Sequence, residues 1–126
     1  MPTMVCFRCA DATYCLPVET AKSVRAAAGM IALPAVRPRV VGIIPGDPPL
    51  TVISPFGESG RYVLVVEAGG KEFGLLVDTV TGLRRIDDAD IRTAPHGQDR
   101  LVISGTVDTD GELTLVTDPT TLAAQL

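Results

Sequence analysis

The chain has 126 residues, a net charge of −4 at pH 7 and an apolar fraction of 46%, which together predict one compact globular domain, 1–126. It contains no run of 18 apolar residues, so we expect no insertion into a membrane. Its eleven Lys and Arg residues are mostly scattered and its aromatic residues are few, which argues against a nucleic-acid partner.

The chain opens with short segments in which apolar and polar residues alternate. The segments "VCFRC" and "YCLPV" flank a polar "DAT" turn, which is typical of a β-hairpin, and "KSVRA" continues as a third strand. The start of the sequence lacks the basic segment and the long apolar stretch of a secretory signal. We therefore expect a cytoplasmic protein.

The spacing of Cys6 and Cys9 in "CFRC" raises an alternative, a thiol redox pair or half of a zinc site. Residues three apart in a regular strand point to opposite faces, and a tetrahedral zinc site needs four ligands. The single histidine, His96, lies in a distant segment. We therefore expect Cys6, Cys9 and Cys15 to be reduced, partly buried side chains, and we expect no metal site. A thiol or metal protein that uses Cys6 and Cys9 is kept as an alternative.

The central segments contain several prolines. The stretch "GMIALPAVRPR" has no sustained period and predicts a loop or a single helical turn. The runs "VVGII" and "LTVIS" predict two short strands on either side of "PGDPP", a turn whose prolines cannot donate hydrogen bonds to a sheet.

The clearest hairpin joins "RYVLVVE" to "KEFGLLVDTV" through Gly69 and Gly70, because paired glycines tolerate the positive φ of a two-residue loop. Asp78 shares one face of the second strand with apolar residues. Burial without a partner is costly for a carboxylate. Asp78 therefore needs backbone donors, an arginine partner such as Arg84 or Arg85, or a solvent-exposed position at the end of the strand.

The last segments predict a further hairpin and a helix. The runs "RLVISGTV" and "ELTLVT" flank a "DTDG" turn, and "DPTTLAAQL" predicts a short helix with Asp118 as its N-cap and Pro119 at its first position. Many short strands with almost no helix predict an all-β barrel or sandwich.

Catalytic motifs are missing from the sequence, which has neither a "GxSxG" elbow nor a "GxxxxGK[ST]" phosphate loop. His96 has no nucleophile or substrate pocket that the sequence identifies, and "RIDDAD" lacks the Gly and the terminal Glu of a calcium loop. We expect no enzymatic activity, no catalytic residue, no cofactor and no small-molecule substrate.

Four stretches, in their order along the chain, resemble the CheW-like domain family, the adaptors of bacterial chemotaxis arrays, over nearly the full length of the sequence. They are "VCFRCADATYCLPVETAKSV", "ALPAVRPRVVGII", "RYVLVVEAGGKEFGLLVDTVTGLRRI" with "DDADIRTAP", and "ISGTVDTDGELTLVTDPTTL". The third stretch is the most specific, because it combines an apolar strand, a turn, "GLLVD" and an arginine-containing strand.

The resemblance implies a pair of SH3-like five-stranded β-barrels packed around a shared apolar seam, with the second barrel at roughly 40–90. It also implies a non-enzymatic adaptor. CheW-like proteins join the regulatory domain of a sensor histidine kinase to the cytoplasmic tip of chemoreceptors, so these two proteins are the partners that we expect.

Two positions depart from the family pattern, which usually has a Glu at the end of the third strand and an Asn-Leu-Arg-Gly turn after the glycine-marked strand. This chain has Ser23 in place of the acid, and its turn "IIPGDPPL" has Asp47 near the place of the arginine. Losing both members of a charged pair costs little, whereas losing one leaves the other charge without its partner. The joint departure predicts either that partner recognition is retained through apolar contacts or that the chain is a divergent module of a signalling system unrelated to motility.

The candidate partner-binding residues flank the seam and the altered turn. They are Ser23, Arg25, Val36, Val40, Gly42, Ile43, Ile44 and Asp47. Any one of the apolar members also suits an ordinary core position, and its exposure in a structure distinguishes the two roles. Asp78 is expected to be a structural anchor beside the seam, and Gly69 and Gly70 are expected to be structural residues of their turn.

Overall fold

The computed structural model describes residues 2–33, 40–57, 60–93, 103–109, 111–124 and 126. In this part of the chain, β-strands are joined by tight turns and short 3-10 turns, and one α-helix follows the last strand. The strands, in chain order, are β1 (Thr3–Cys9), β2 (Ala12–Pro17), β3 (Ala21–Ala26), β4 (Ile31–Ala32), β5 (Val40–Ile44), β6 (Leu50–Ile53), β7 (Tyr62–Ala68), β8 (Lys71–Val77), β9 (Thr79–Arg85), β10 (Arg92–Thr93), β11 (Ile103–Thr109) and β12 (Glu112–Thr117). The helix, α1, is Pro119–Ala123.

The strands form two six-stranded sheets. The strand order is β10-β11-β12-β2-β1-β9 in the first sheet and β3-β7-β8-β6-β5-β4 in the second. Each sheet consists of five longer strands and a two-residue strand at one edge, β10 or β4. The predicted all-β fold, with two SH3-like five-stranded β subdomains and a short C-terminal helix, is confirmed, and each sheet gains one short edge strand.

The hairpins that the sequence predicts are present. Strands β1–β2, β5–β6, β7–β8 and β11–β12 each form antiparallel pairs. The β1–β2 turn is Ala10–Asp11, so the last two residues of the predicted "DAT" turn belong to β2. Two parallel pairings then join hairpins that are distant in sequence, β12 with β2 and β6 with β8. Local alternation therefore predicts the hairpins, whereas these long-range pairings decide how the hairpins assemble.

The division of the chain between the two sheets differs from the expected boundaries. The second sheet takes all its strands from 21–77, whereas the sequence analysis assigned roughly 40–90 to the second barrel. The predicted strand that runs through Val80 is two strands, because the chain leaves the second sheet at Asp78 and β9 pairs with β1 in the first sheet. A period of two identifies alternating residues but does not identify the sheet that a strand joins.

Three apolar clusters follow from the alternation within the strands. In β1, Val5 and Phe7 face the cluster between the two sheets, which we call the seam, whereas Met4 and Cys6 face the interior of the first barrel. The seam also takes residues from the second sheet, among them Leu75, so neither sheet has a complete core alone. The interior of the second barrel holds Ile44, Leu50, Val52, Val63, Val65 and Leu76.

The proline-containing stretch after β3 and the C-terminal helix were also predicted from the sequence. The stretch predicted as a loop or helical turn, 29–39, starts at the last residue of a 3-10 turn, Ala27–Gly29, and then includes the short strand β4. Its remainder at 34–39 lies outside the described residues. Helix α1 has the predicted cap, since the Thr120 backbone N–H donates to the Asp118 carboxylate at 3.0 Å. Within the described residues, no helix has the length and apolar character needed to span a membrane.

Candidate partner-binding surface

A concave surface of about 300 Å³ lies at the mouth of the second barrel, beside the proline-rich turn. We call it the turn groove. Its lining residues come from β3, from the turn between β5 and β6, and from the strands behind them: Ser23, Arg25, Ile44, Pro45, Gly46, Asp47, Pro48, Pro49, Leu50, Val65 and Glu72.

Strand pairing explains how these residues meet. Ser23 and Arg25 are two residues apart in β3 and so share a face, and their partners in β7 are Val65 and Val63 of the second-barrel interior. The groove therefore has an apolar floor formed by that interior. Ser23, Arg25 and Asp47 are exposed at its rim.

Glu72 is a fourth exposed rim residue, which the sequence analysis did not select. It shares a face of β8 with Leu76, which packs in the second-barrel interior. The sequence does contain a signal for Glu72. It is a polar residue at the start of an alternating strand, on the face that is apolar farther along. The strand order that brings this end of β8 near β3, with β7 between them, cannot be read from the sequence.

The structure assigns different positions to the predicted partner-binding residues. Ile44 is only 4% exposed and packs inside the second barrel, where it forms part of the groove floor, and Gly42 is also buried, so both are core positions. Val40 and Ile43 are half-buried. Val36 lies outside the described residues. Ser23, Arg25 and Asp47 alone combine exposure with a shared groove.

Gly42 has a packing role. A Cβ atom at this position would lie 2.6 Å from Cγ of Met30 and 2.7 Å from the carbonyl oxygen of Ile31. Because β4 approaches β5 this closely, a side chain at Gly42 would force the two strands apart. The glycine that marks this strand therefore serves the pairing of β4 with β5.

A second concave surface, about 250 Å³ in volume, lies between the facing edges of β3 and β9. We call it the edge groove. Its lining is mainly apolar and includes Val24, which is 47% exposed, and Leu83, which is 64% exposed. Neither residue is among the binding residues predicted from the sequence. The signal was present, since each is a large apolar side chain in a strand whose other residues are mostly exposed.

Asp78 lies where the chain passes from the second sheet to the first. Its carboxylate accepts a hydrogen bond from the backbone N–H of Ala10 at 3.1 Å, and its own backbone N–H donates to the carbonyl of Arg8 at 2.9 Å. A backbone donor was one of the three arrangements that the sequence analysis considered. Gly69 and Gly70 form the β7–β8 turn with φ of +60° and +77°.

The three cysteines are free thiols and are buried. Cys6 faces the first-barrel interior and Cys9 faces the seam, so the two side chains of "CFRC" are on opposite sides of β1 and cannot ligate one ion together. Burial, followed by the nearby Asp78 carboxylate, raises the pKa of Cys9 to about 11. In the parts of the chain that the structure covers, no group of three or more His, Cys, Asp or Glu side chains is arranged to hold a metal. His96 lies outside those parts.

Comparisons with known proteins identify a similar family and a similar solved structure. A family model described as the CheW-like domain matches residues 48–126. The chain is also similar to the crystal structure of the scaffolding protein TtCheW from Thermoanaerobacter tengcongensis, with a TM-score of 0.84 at 24% sequence identity. That match covers 97% of this chain and 88% of the other. A search among curated proteins gave no match.

Proposed function

Because the chain belongs to the CheW-like domain family, we propose that it is a non-enzymatic cytoplasmic adaptor that couples a histidine kinase to chemoreceptors. In this role the turn groove binds the regulatory domain of the kinase, and the edge groove binds the cytoplasmic tip of a receptor. The observation that carries the proposal is that this family fold exposes two separate concave surfaces, one with charged residues at its rim and one mainly apolar.

The turn groove suits a charged protein partner. Arg25 of β3 and Asp47 of the turn lie at one rim above an apolar floor. In the family an acid usually stands where this chain has Ser23, and an arginine usually stands near the place of Asp47. We therefore propose that the kinase surface that binds here carries an acidic residue opposite Arg25 and a basic residue opposite Asp47, because opposite charges across an interface favour the correct partner.

The edge groove suits an apolar segment. Val24 and Leu83 project from two strand edges that belong to different sheets, and they leave a mainly apolar strip between them. A helix with an apolar face can lie in such a groove, which is a common mode of peptide recognition. The two grooves share only Ser23 in their linings, so kinase and receptor can bind at the same time.

The test is a titration of the purified protein with the CheW-like regulatory domain of a histidine kinase from the same genome. We expect direct binding, and we expect Arg25→Glu to weaken it at least tenfold because the variant places like charges across the interface. Arg92→Glu makes the same charge change on β10 of the first sheet and is the matched control, with affinity close to that of the unmodified protein. Equal loss in both variants would contradict the assignment of the turn groove.

A second candidate function is a CheW-like interaction module of a signalling system unrelated to motility. The absence of the usual acid at Ser23 and of the usual arginine near Asp47 favours it, since a partner that fits the usual arrangement fits this groove poorly. Affinity purification separates the two candidates. Recovery of a kinase together with a chemoreceptor supports coupling in chemotaxis, whereas recovery of a kinase with a different sensor supports the second candidate.

A further inference from the structure

Two cysteines lie directly opposite each other in the first hairpin. Cys6 of β1 is paired with Cys15 of β2 in the antiparallel register, so both side chains project from the same face of the sheet. Both thiols belong to the apolar cluster inside the first barrel. Cys9 projects into the seam, on the other side of the sheet. The pair that the fold brings together is therefore Cys6 and Cys15, and not the two cysteines of "CFRC".

The hydrogen bonds around the two residues define the type of pair. The carbonyl of Cys6 accepts from the Thr81 hydroxyl of β9, and the carbonyl of Cys15 accepts from the Thr117 hydroxyl of β12. Each carbonyl therefore points away from the other cysteine's strand. Such an arrangement is a non-hydrogen-bonded pair, in which the Cα atoms lie about 4.5 Å apart. This separation falls at the short end of the range that a disulfide bridges, about 4.4 to 6.8 Å.

A cavity of about 240 Å³ lies beside one of the two cysteines, Cys6, which is 4% exposed. Cys6 lines it together with Arg8, Arg84 and Glu112, whereas Cys15 does not. The residue paired with Cys6 on β9 is Gly82, so this position contributes no side chain that would cover the sulfur. The cavity mouth is polar, with the Arg8 guanidinium 3.0 Å from the Glu112 carboxylate. A small polar molecule can enter here.

We propose that Cys6 and Cys15 form an oxidative modification site, in which a hydroperoxide as small as hydrogen peroxide enters this cavity and converts the pair to a cross-strand disulfide. Cys6 is the residue that reacts first, since it lines the cavity. Cys15 is the resolving residue, because it is buried behind Cys6 at the position where a disulfide can form. The proposal does not depend on the adaptor role.

The reaction has two steps. The Cys6 thiolate attacks one oxygen of hydrogen peroxide, the O–O bond breaks, and the leaving hydroxide takes up a proton to become water, which leaves a sulfenic acid on Cys6. The Cys15 sulfur then attacks the Cys6 sulfur, the S–O bond breaks, and a second water leaves with the Cys15 proton. The two cysteines lose two electrons in total, and the peroxide gains two.

The thiolate fraction of Cys6 sets the rate of the first step. Burial raises the pKa of Cys6, and the Arg84 guanidinium acts in the opposite direction. Burial, followed by Cys6 itself, raises the pKa of Cys15 to about 12. The charged groups around Cys6 are Arg8 on its own strand, Arg84 on β9 and Glu112 on β12. Because a raised pKa keeps most of Cys6 protonated at neutral pH, we expect oxidation to be at least tenfold faster at pH 9 than at pH 7.

The experiment exposes the reduced, folded protein to hydrogen peroxide, blocks the remaining thiols with a maleimide in denaturant, and maps the peptides without reduction. Combined cleavage after Arg8 and before Asp11 places each cysteine on a different peptide. We expect the peptide of Cys6 to be linked to that of Cys15 with the loss of two hydrogens, and Cys9 to carry the maleimide. A Cys9→Ser variant should form the same link at a rate within about twofold.

Two measurements can overturn the proposal. A disulfide that contains Cys9 would show that Cys6 and Cys15, although paired across the two strands, are not the pair that reacts. An oxidation rate that rises with added urea in parallel with global unfolding would show that only the unfolded chain reacts. In Cys15→Ser we expect oxidation to stop at a sulfenic acid on Cys6, which dimedone traps. The peptide map of the unmodified protein decides the result even if that variant is unstable.

Discussion

At the scale of single residues, Asp78 shows how one side chain holds two distant segments together. Its carboxylate accepts from the N–H of Ala10, which is 68 residues away in sequence. Ala10 and Asp11 form the β1–β2 turn with φ of +51° and +66°, a conformation that costs a residue with a side chain some free energy. The sequence predicted that Asp78 needs a partner, but Ala10 could not be identified as that partner without the pairing of β1 with β9.

We expect Asp78→Ala to lower the free energy of unfolding by about 1 to 2 kcal/mol, because the N–H of Ala10 loses its charged acceptor. Asp78→Asn is the matched control, since its amide oxygen occupies the same position and can still accept. Its loss should be less than half as large. Urea unfolding followed by circular dichroism measures both values. Equal losses in the two variants would show that the charge matters and that the hydrogen bond to Ala10 does not.

At the scale of elements, the hairpins were predictable because each depends on local information, the alternation within two strands and the chemistry of one turn. The β7–β8 hairpin is the clearest case, since Gly69 and Gly70 adopt the positive φ that paired glycines favour. The break between β8 and β9 was not predictable. The period of two continues from Leu76 through Asp78 to Val80, although the chain changes sheets there.

We expect Gly70→Ala to destabilise the protein by about 1 to 2 kcal/mol, because a Cβ atom is disfavoured at positive φ even where space is available. Gly29→Ala is the matched control, since an added Cβ also meets no atom within 4 Å there and its φ is not positive. Its stability should be unchanged or higher by up to about 1 kcal/mol. Thermal unfolding of both variants tests this, and an unaffected Gly70→Ala protein would contradict it.

At the scale of the whole molecule, the seam explains why the two barrels form one folding unit. It takes side chains such as Phe7 from the first sheet and Leu75 from the second, and both are fully buried. Composition and resemblance predicted a shared apolar seam. They did not predict which candidate contact residues lie inside, because burial depends on strand order: Ile44 faces the interior of the second barrel, whereas Arg25 reaches its rim.

We expect Leu75→Ala to cost about 2 to 5 kcal/mol and to lower the unfolding midpoint of both sheets equally, because the cavity opens in the core that they share. Leu113→Ala removes the same atoms from a side chain that is 52% exposed, and its effect should stay within about 0.5 kcal/mol. Hydrogen exchange of amides in β1 and β7 reports the two sheets separately. Loss of protection in only one of them would show that the barrels unfold independently.

The strand order also has a consequence for synthesis on the ribosome. All strands of the second sheet lie within 21–77, and the strands of the first sheet lie on both sides of this range, so one barrel is nested inside the other along the chain. The inner barrel has its full strand set once Val77 has emerged. The outer barrel is complete only when β12, which ends at Thr117, has been synthesised and pairs with β2. The nascent chain therefore holds every strand of the inner barrel before the outer barrel can close, and the core that the two share is completed last.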